Sequence, residues 1–147
     1  MAQVPVNKED SNTPETPLPQ LEADLLALAS DLAAAECRWL HMLAEFDRRE
    51  GWAGVGVVSC AHWLSWRCGL SLTAAREKLR VARALVHLPK VSESFEKGEL
   101  SYSRARAIVR AANPDNEQLL VDIARHSTGA RSSASSGPRS AYNALRT

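Results

Sequence analysis

The sequence predicts an all-α domain of five or six helices joined by short connections. Three observations predict it. From Leu21 onward, apolar residues recur mostly at spacings of three, four or seven, the mark of helical stripes. No segment alternates apolar and polar residues cleanly over a strand length. Helix-starting serines and helix-stopping glycines and prolines punctuate the chain at short intervals.

Residues 1–19 hold Pro5, Pro14, Pro17 and Pro19 among Asn, Ser, Thr and acidic residues, a composition that cannot bury enough apolar surface to order itself and reads as a disordered leader. A long helix is then expected over about 20–49. Its apolar stripe is Leu21, Leu25, Leu28, Leu32, Trp39, Leu43 and Phe46, and alanines between these positions add helix propensity. Gly51 stops it.

Gly51, Gly54 and Gly56 make the following segment a loop. The loop is no phosphate cradle, because no strand precedes it and no Lys-Ser/Thr follows at the required position. Ser59 starts a short helix carrying Trp63, Leu64 and Trp66, which Gly69 closes. Ser71 starts the next helix, 72–88, with Leu72, Leu79, Val81, Leu85, Val86 and Leu88 as core contacts and Pro89 behind it. A brief helix follows around 90–97.

The run GELSYSRARAIVRAANP, residues 98–114, is a short helix complete with its signals: Gly98 before it, Ser101 as N-cap and Asn113-Pro114 behind. Tyr102, Ala105, Val109 and Ala112 form its packing stripe. Pro114, as a first helical residue, begins a further helix to about His126. From Arg131 the chain turns Ser/Arg/Gly/Ala-rich, without an apolar period. The division is therefore a leader over 1–19, a helical domain over 20–130 and an irregular tail over 131–147.

Hydrophobic residues at 45% and charged residues at 24% describe a soluble globular chain. No apolar run approaches the roughly 20 residues that cross a bilayer, and the N-terminus has neither a basic region nor an apolar region of a secretory signal. A cytoplasmic product is expected. Cys37, Cys60 and Cys68 form no CxxC pair, which suits reduced, buried thiols better than a disulfide framework or a zinc site.

The net charge of +1 conceals an asymmetry. Residues 1–50 carry four Lys/Arg against ten Asp/Glu, net −6, and residues 76–110 carry nine against four, net +5. Such a distribution steers an anionic partner to one end, or lets acidic and basic segments pack together within one fold. Arg76, Arg80, Arg83 and His87 share one face of the 72–88 helix, while Arg104, Arg106 and Arg110 lie on the next long one. The six arginines are the candidate nucleic-acid contacts, since basic groups in line neutralise a phosphate backbone. The alternative is a solvated or internally paired face. His41, His62, His87 and His126, separated by 21, 25 and 39 residues, make neither a metal pattern nor a triad. The four tryptophans read as core anchors. No catalytic constellation, cofactor site or small-molecule site emerges.

The segments HWLSWRCGLS at 62–71, AAREKLRVARAL with the LP that follows at 74–89, GELS at 98–101 and ARHSTGA at 124–130 resemble an actinobacterial family. Its members carry a helical domain of unknown function, usually N-terminal to an HNH endonuclease module, and the family is also described as a mycobacterial repeat family. The resemblance covers roughly 20–130. It implies that nuclease chemistry would reside in a downstream HNH module, which is missing from this sequence, so no enzymatic activity is expected of the chain. The composition change directly after a matching segment suggests that the tail is read out of frame and that the chain is a truncated member. The expected function is a non-catalytic accessory domain associated with DNA. The alternatives are a protein-interaction or self-association scaffold built on the long first helix, and a remnant without function.

Overall fold

The first helix, α1, runs from Leu18 to Arg48, and only its C-terminal part meets the rest of the protein. The computed structural model describes Gln3 and residues 14–129. At 31 residues, α1 spans about 46 Å. Its buried positions begin at Ala33 and continue through Cys37, Leu40 and Leu43. The helix starts two residues earlier than expected, with Pro19 in its first turn, where a missing N–H costs nothing. Most of the expected leader, and the tail from 131, lie outside the described residues.

Five further helices complete the described fold: α2 (Cys60–Cys68), α3 (Leu72–Leu85), α4 (Pro89–Glu96), α5 (Tyr102–Ala111) and α6 (Glu117–Gly129). Among the described residues no strand forms, so the chain is all-α as its periodicity predicts. The serine caps are those read from the sequence. Ser59 Oγ accepts from the His62 N–H, Ser71 Oγ from Ala74 and Ser101 Oγ from Arg104, at 3.1, 3.1 and 3.2 Å. Gly69 closes α2 in the left-handed region at φ 70°.

The bounds of α3 and α6 also differ from expectation. α3 ends at Leu85 rather than 88, because His87 and Leu88 donate to the carbonyls three residues back, Ala84 and Leu85, in a tightened last turn. Leu88, preceding Pro89, is held away from helical geometry at ψ 73°. α6 begins at Glu117, not at Pro114. The Asn113 side chain accepts from the N–H groups of Asp115 and Asn116 at 2.9 and 3.0 Å, and so holds residues 114–116 as a turn.

α1 and α4 lie antiparallel. Ser30 Oγ donates to the Gly98 carbonyl at 3.1 Å, Cys37 Sγ to the Ser92 carbonyl at 3.7 Å, and His41 Nε2 pairs with Ser92 Oγ at 2.6 Å. α3 packs against α1, α2 and α5, and α6 against α4 and α5. Leu40, Leu64, Leu85, Val91, Phe95 and Leu100 are buried where these elements meet. At roughly 1.5–3 kcal/mol per fully buried large side chain, this cluster holds the domain together.

Several apolar positions read as core stand outside it. Leu72 on α3 and Val86 directly behind it are exposed, while Ala75 and Ala82 occupy the buried rows. Trp66 is exposed, unlike the partly buried Trp39, Trp52 and Trp63. Cys37 and Cys60 are buried, but Cys68 is not. The greatest departure is in α1, where Leu21, Leu25, Leu28 and Leu32 meet no core.

Candidate arginine face and exposed helical arm

The six arginines singled out from the sequence do not act as one strip. Arg80, Arg106 and Arg110 converge on a single carboxylate, Glu77. Arg80 Nε donates to Glu77 at 3.1 Å, Arg106 Nε at 2.8 Å and an Arg110 terminal nitrogen at 3.4 Å. Glu77 sits one residue after Arg76 on α3, in front of α5, so the cluster ties the two helices together. The Arg80 hydrogen bond first, and then that of Arg106, hold the Glu77 carboxyl down at about 2. One negative charge among three guanidinium groups leaves this patch with net +2.

The other three arginines go elsewhere. Arg83 Nε donates to Asp47 Oδ2 at 2.9 Å and pins α3 to the end of α1. Arg104 donates to Ser127 Oγ at 2.7 Å and faces α6. Arg76 is exposed, with no hydrogen bond or ion pair among the described residues. The shared face predicted from Arg76, Arg80, Arg83 and His87 is thus divided between neighbours on either side of α3.

The charge asymmetry is partly resolved inside the fold. Glu36 pairs with Lys78, and Asp47 with Arg83, so acidic α1 lies against basic α3. Lys78 also stands 3.4 Å from the ring centroid of Tyr102. The Tyr102 hydroxyl is buried without a partner among the described residues. Burial, then the neighbouring Glu77 charge, push this phenol above its ordinary pKa.

Three further acidic residues, Glu22, Asp24 and Asp31, sit on the N-terminal part of α1. Along this arm Leu18, Leu21, Leu25, Leu28 and Leu32 are 43–78% exposed. Their spacing of three, four, three and four residues is that of a coiled-coil seam. Glu22, Asp24 and Asp31 accompany them, and no Lys or Arg occurs from Leu18 to Cys37. Where the arm joins the domain, Trp39, Met42 and Phe46 continue the same spacing and line a groove of about 240 Å³ closed on its other side by Trp63, Leu64 and Cys68 of α2. Sequence reading found the long helix. It did not find where along that helix the domain ends.

Among the described residues no group of three His, Cys, Asp or Glu side chains is placed to hold a metal ion. Burial pushes the Cys37 and Cys60 thiols up to about 11, which leaves both as inert packing groups at neutral pH. No helix among the described residues is long and apolar enough to cross a membrane.

A family profile, that of the domain of unknown function DUF222, matches residues 20–135. That span takes in all six helices except the first two residues of α1. No curated protein and no solved structure matches the sequence.

Proposed function

The chain belongs to the DUF222 family, a domain of unknown function, and we propose that this member is a non-catalytic accessory module that works by docking a protein partner. The single observation that carries this reading is the α1 arm. Five leucines at seam spacing are exposed on a helix that the domain itself does not cover. Scattered surface leucines need no explanation, but a continuous apolar stripe several turns long marks an interaction surface. The resemblance to domains that stand beside HNH endonuclease modules fits the same role: the accessory part brings the assembly to a partner, and chemistry is supplied elsewhere. The test is site-specific photocrosslinking in the producing cells, with the photoreactive residue at Leu25 or at Arg76. A discrete protein adduct at Leu25, absent at Arg76, supports docking through the arm. An absence of protein adducts at Leu25 overturns it.

One observation favours a second reading, contact with a nucleic-acid backbone through α3 and α5. Arg80, Arg106 and Arg110 share one carboxylate, and the exposed Arg76 lies beside it. Backbone binding of this kind weakens with salt, the logarithm of affinity falling by about 0.9 per phosphate neutralised for each unit of log salt. Binding of duplex DNA that follows this slope, and that weakens in Arg76→Ala and Arg106→Ala, supports the reading. Absence of binding at low salt removes it.

A further inference from the structure

We propose that the occupant of the α1 arm is a cationic amphipathic helix, with apolar residues at heptad spacing and Lys or Arg on both flanks, supplied by a separate protein rather than by a second copy of this chain. The inference rests on the docking reading and adds the partner's chemistry.

The shape argument comes first. With Leu18, Leu25 and Leu32 at one seam position and Leu21 and Leu28 at the other, the arm presents one side of a two-helix seam. Trp39, Met42 and Phe46 keep that register into the groove against α2. A straight helix drifts by about 20° per heptad from such a repeat, about 80° over the four heptads from Leu18 to Phe46, so arm and groove form one track that a partner follows by winding round α1. The track accepts a helix: its knobs would seat between the leucines, and its last large side chain would enter the groove.

Charge then chooses among helices. The residues flanking the seam along the arm are Glu22 and Ala29 on one side and Asp24 and Asp31 on the other, with Glu36 following. Two copies pairing in parallel would set Asp31 of one beside the Glu36 of its partner, whose cation, Lys78, is already engaged within its own chain. In antiparallel pairing, each acidic flank would face the acidic flank of the other copy. Like charges at these positions set helices apart and steer partner choice. A helix flanked by Lys or Arg meets the opposite sign at Glu22, Asp24 and Asp31. An anionic lipid surface is disfavoured for the same reason, because the arm offers it no cation.

The experiment titrates the full-length protein, by fluorescence anisotropy, with labelled helical peptides of about four heptads that carry Leu at the seam and either Lys or Glu at the flanks. The expected result is a Kd at least about tenfold lower for the Lys-flanked peptide, a ratio that shrinks as salt rises. Leu25→Gln/Leu28→Gln abolishes binding of both peptides. Asp24→Lys/Asp31→Lys inverts the preference. Equal binding of the two peptides overturns the proposal, as does Lys-peptide binding that survives the leucine substitutions. A concentration-dependent dimer, dissolved by Leu25→Gln/Leu28→Gln in sedimentation equilibrium, overturns it in favour of a second copy. A crosslink within one chain from position 25 to residues 130–147 overturns it in favour of the chain's own C-terminal segment. If neither peptide binds while the protein adduct at Leu25 persists, the partner chemistry fails and the docking reading stands.

Discussion

The Glu117 carboxylate accepts the Val91 backbone N–H at 2.9 Å, and the same oxygen takes the N–H of Lys90. α4 opens at Pro89 behind Leu88, a residue with no side-chain oxygen to give, so its first amides have no local cap. The first residue of α6 supplies that acceptor from 26 residues away and is itself buried. One carboxylate therefore caps α4 and fixes the angle at which α6 docks.

Removing this acceptor leaves the buried Val91 N–H unpaired and takes the partner from the half-buried Lys90 N–H. Glu117→Ala is expected to lower stability by about 2–3 kcal/mol, read as a shift of the urea midpoint with little change of slope. Glu117→Gln, which keeps a carbonyl acceptor without the charge, should fall between the two. A Glu117→Ala midpoint equal to that of the parent would show that solvent satisfies these amides.

A second long-range contact sits at the root of the arm. Gly98 has φ +75°, and a Cβ at that position would stand 2.6 Å from the Ser30 backbone carbonyl oxygen. The left-handed conformation alone costs a side chain about 1–2 kcal/mol, and backbone on α1 cannot swing aside as a flexible side chain can. Gly98→Ala is expected to destabilise by more than about 2 kcal/mol, measured by thermal or urea unfolding. The same substitution at Gly54, where nothing lies within 4 Å of the added Cβ and φ is not positive, should be nearly silent.

The Glu77 cluster predicts an acid limb. Its carboxyl titrates at about 2 in the folded protein, below its ordinary 4.5, because the Arg80 and Arg106 hydrogen bonds favour the charged form. A depressed folded-state value means stability that is present above the unfolded pKa and lost as pH falls from about 4.5 towards 2. Glu77→Gln should flatten that part of the stability curve and leave the curve above pH 5 parallel to the parent's. Urea midpoints collected from pH 7 to pH 3 check it, and an unchanged acid slope in Glu77→Gln would assign the loss to other carboxylates.

How far the sequence could be read follows from the range of each interaction. Ser59, Ser71 and Ser101 cap the helices that begin directly after them, and Gly69 closes the one before it; such signals act within a few residues and were legible. Glu117 was not, since nothing near it in sequence announces that α4 lacks a cap. Nor was the division of the arginine face: periodicity places Arg80 and Arg83 on one side of α3, but whether each meets Glu77 or Asp47 depends on where α5 and α1 pack. The same limit explains the leucines of α1. A stripe at helical spacing shows which face is apolar, and only the tertiary arrangement shows that the domain's burial begins at Ala33.

That division makes the leucines of the arm the reverse of the core leucines in their effect on folding. Leu40 is fully buried on α1, and Leu40→Ala should cost about 2–5 kcal/mol through lost burial and the cavity it leaves. Leu25 and Leu28, on the same helix, are 63% and 58% exposed, and Leu25→Gln/Leu28→Gln should change stability by less than about 1 kcal/mol. The arm is also too short to be firmly helical by itself, since isolated helices below about 12–15 residues are marginal in water. Backbone amides over residues 18–29 should therefore exchange with deuterium far faster than those of residues 33–43, as local opening requires no global unfolding. Addition of the Lys-flanked peptide should slow exchange in the first stretch alone. If amides 18–29 are already as protected as 33–43 in the free protein, the arm is covered without a partner and its leucines serve the fold after all.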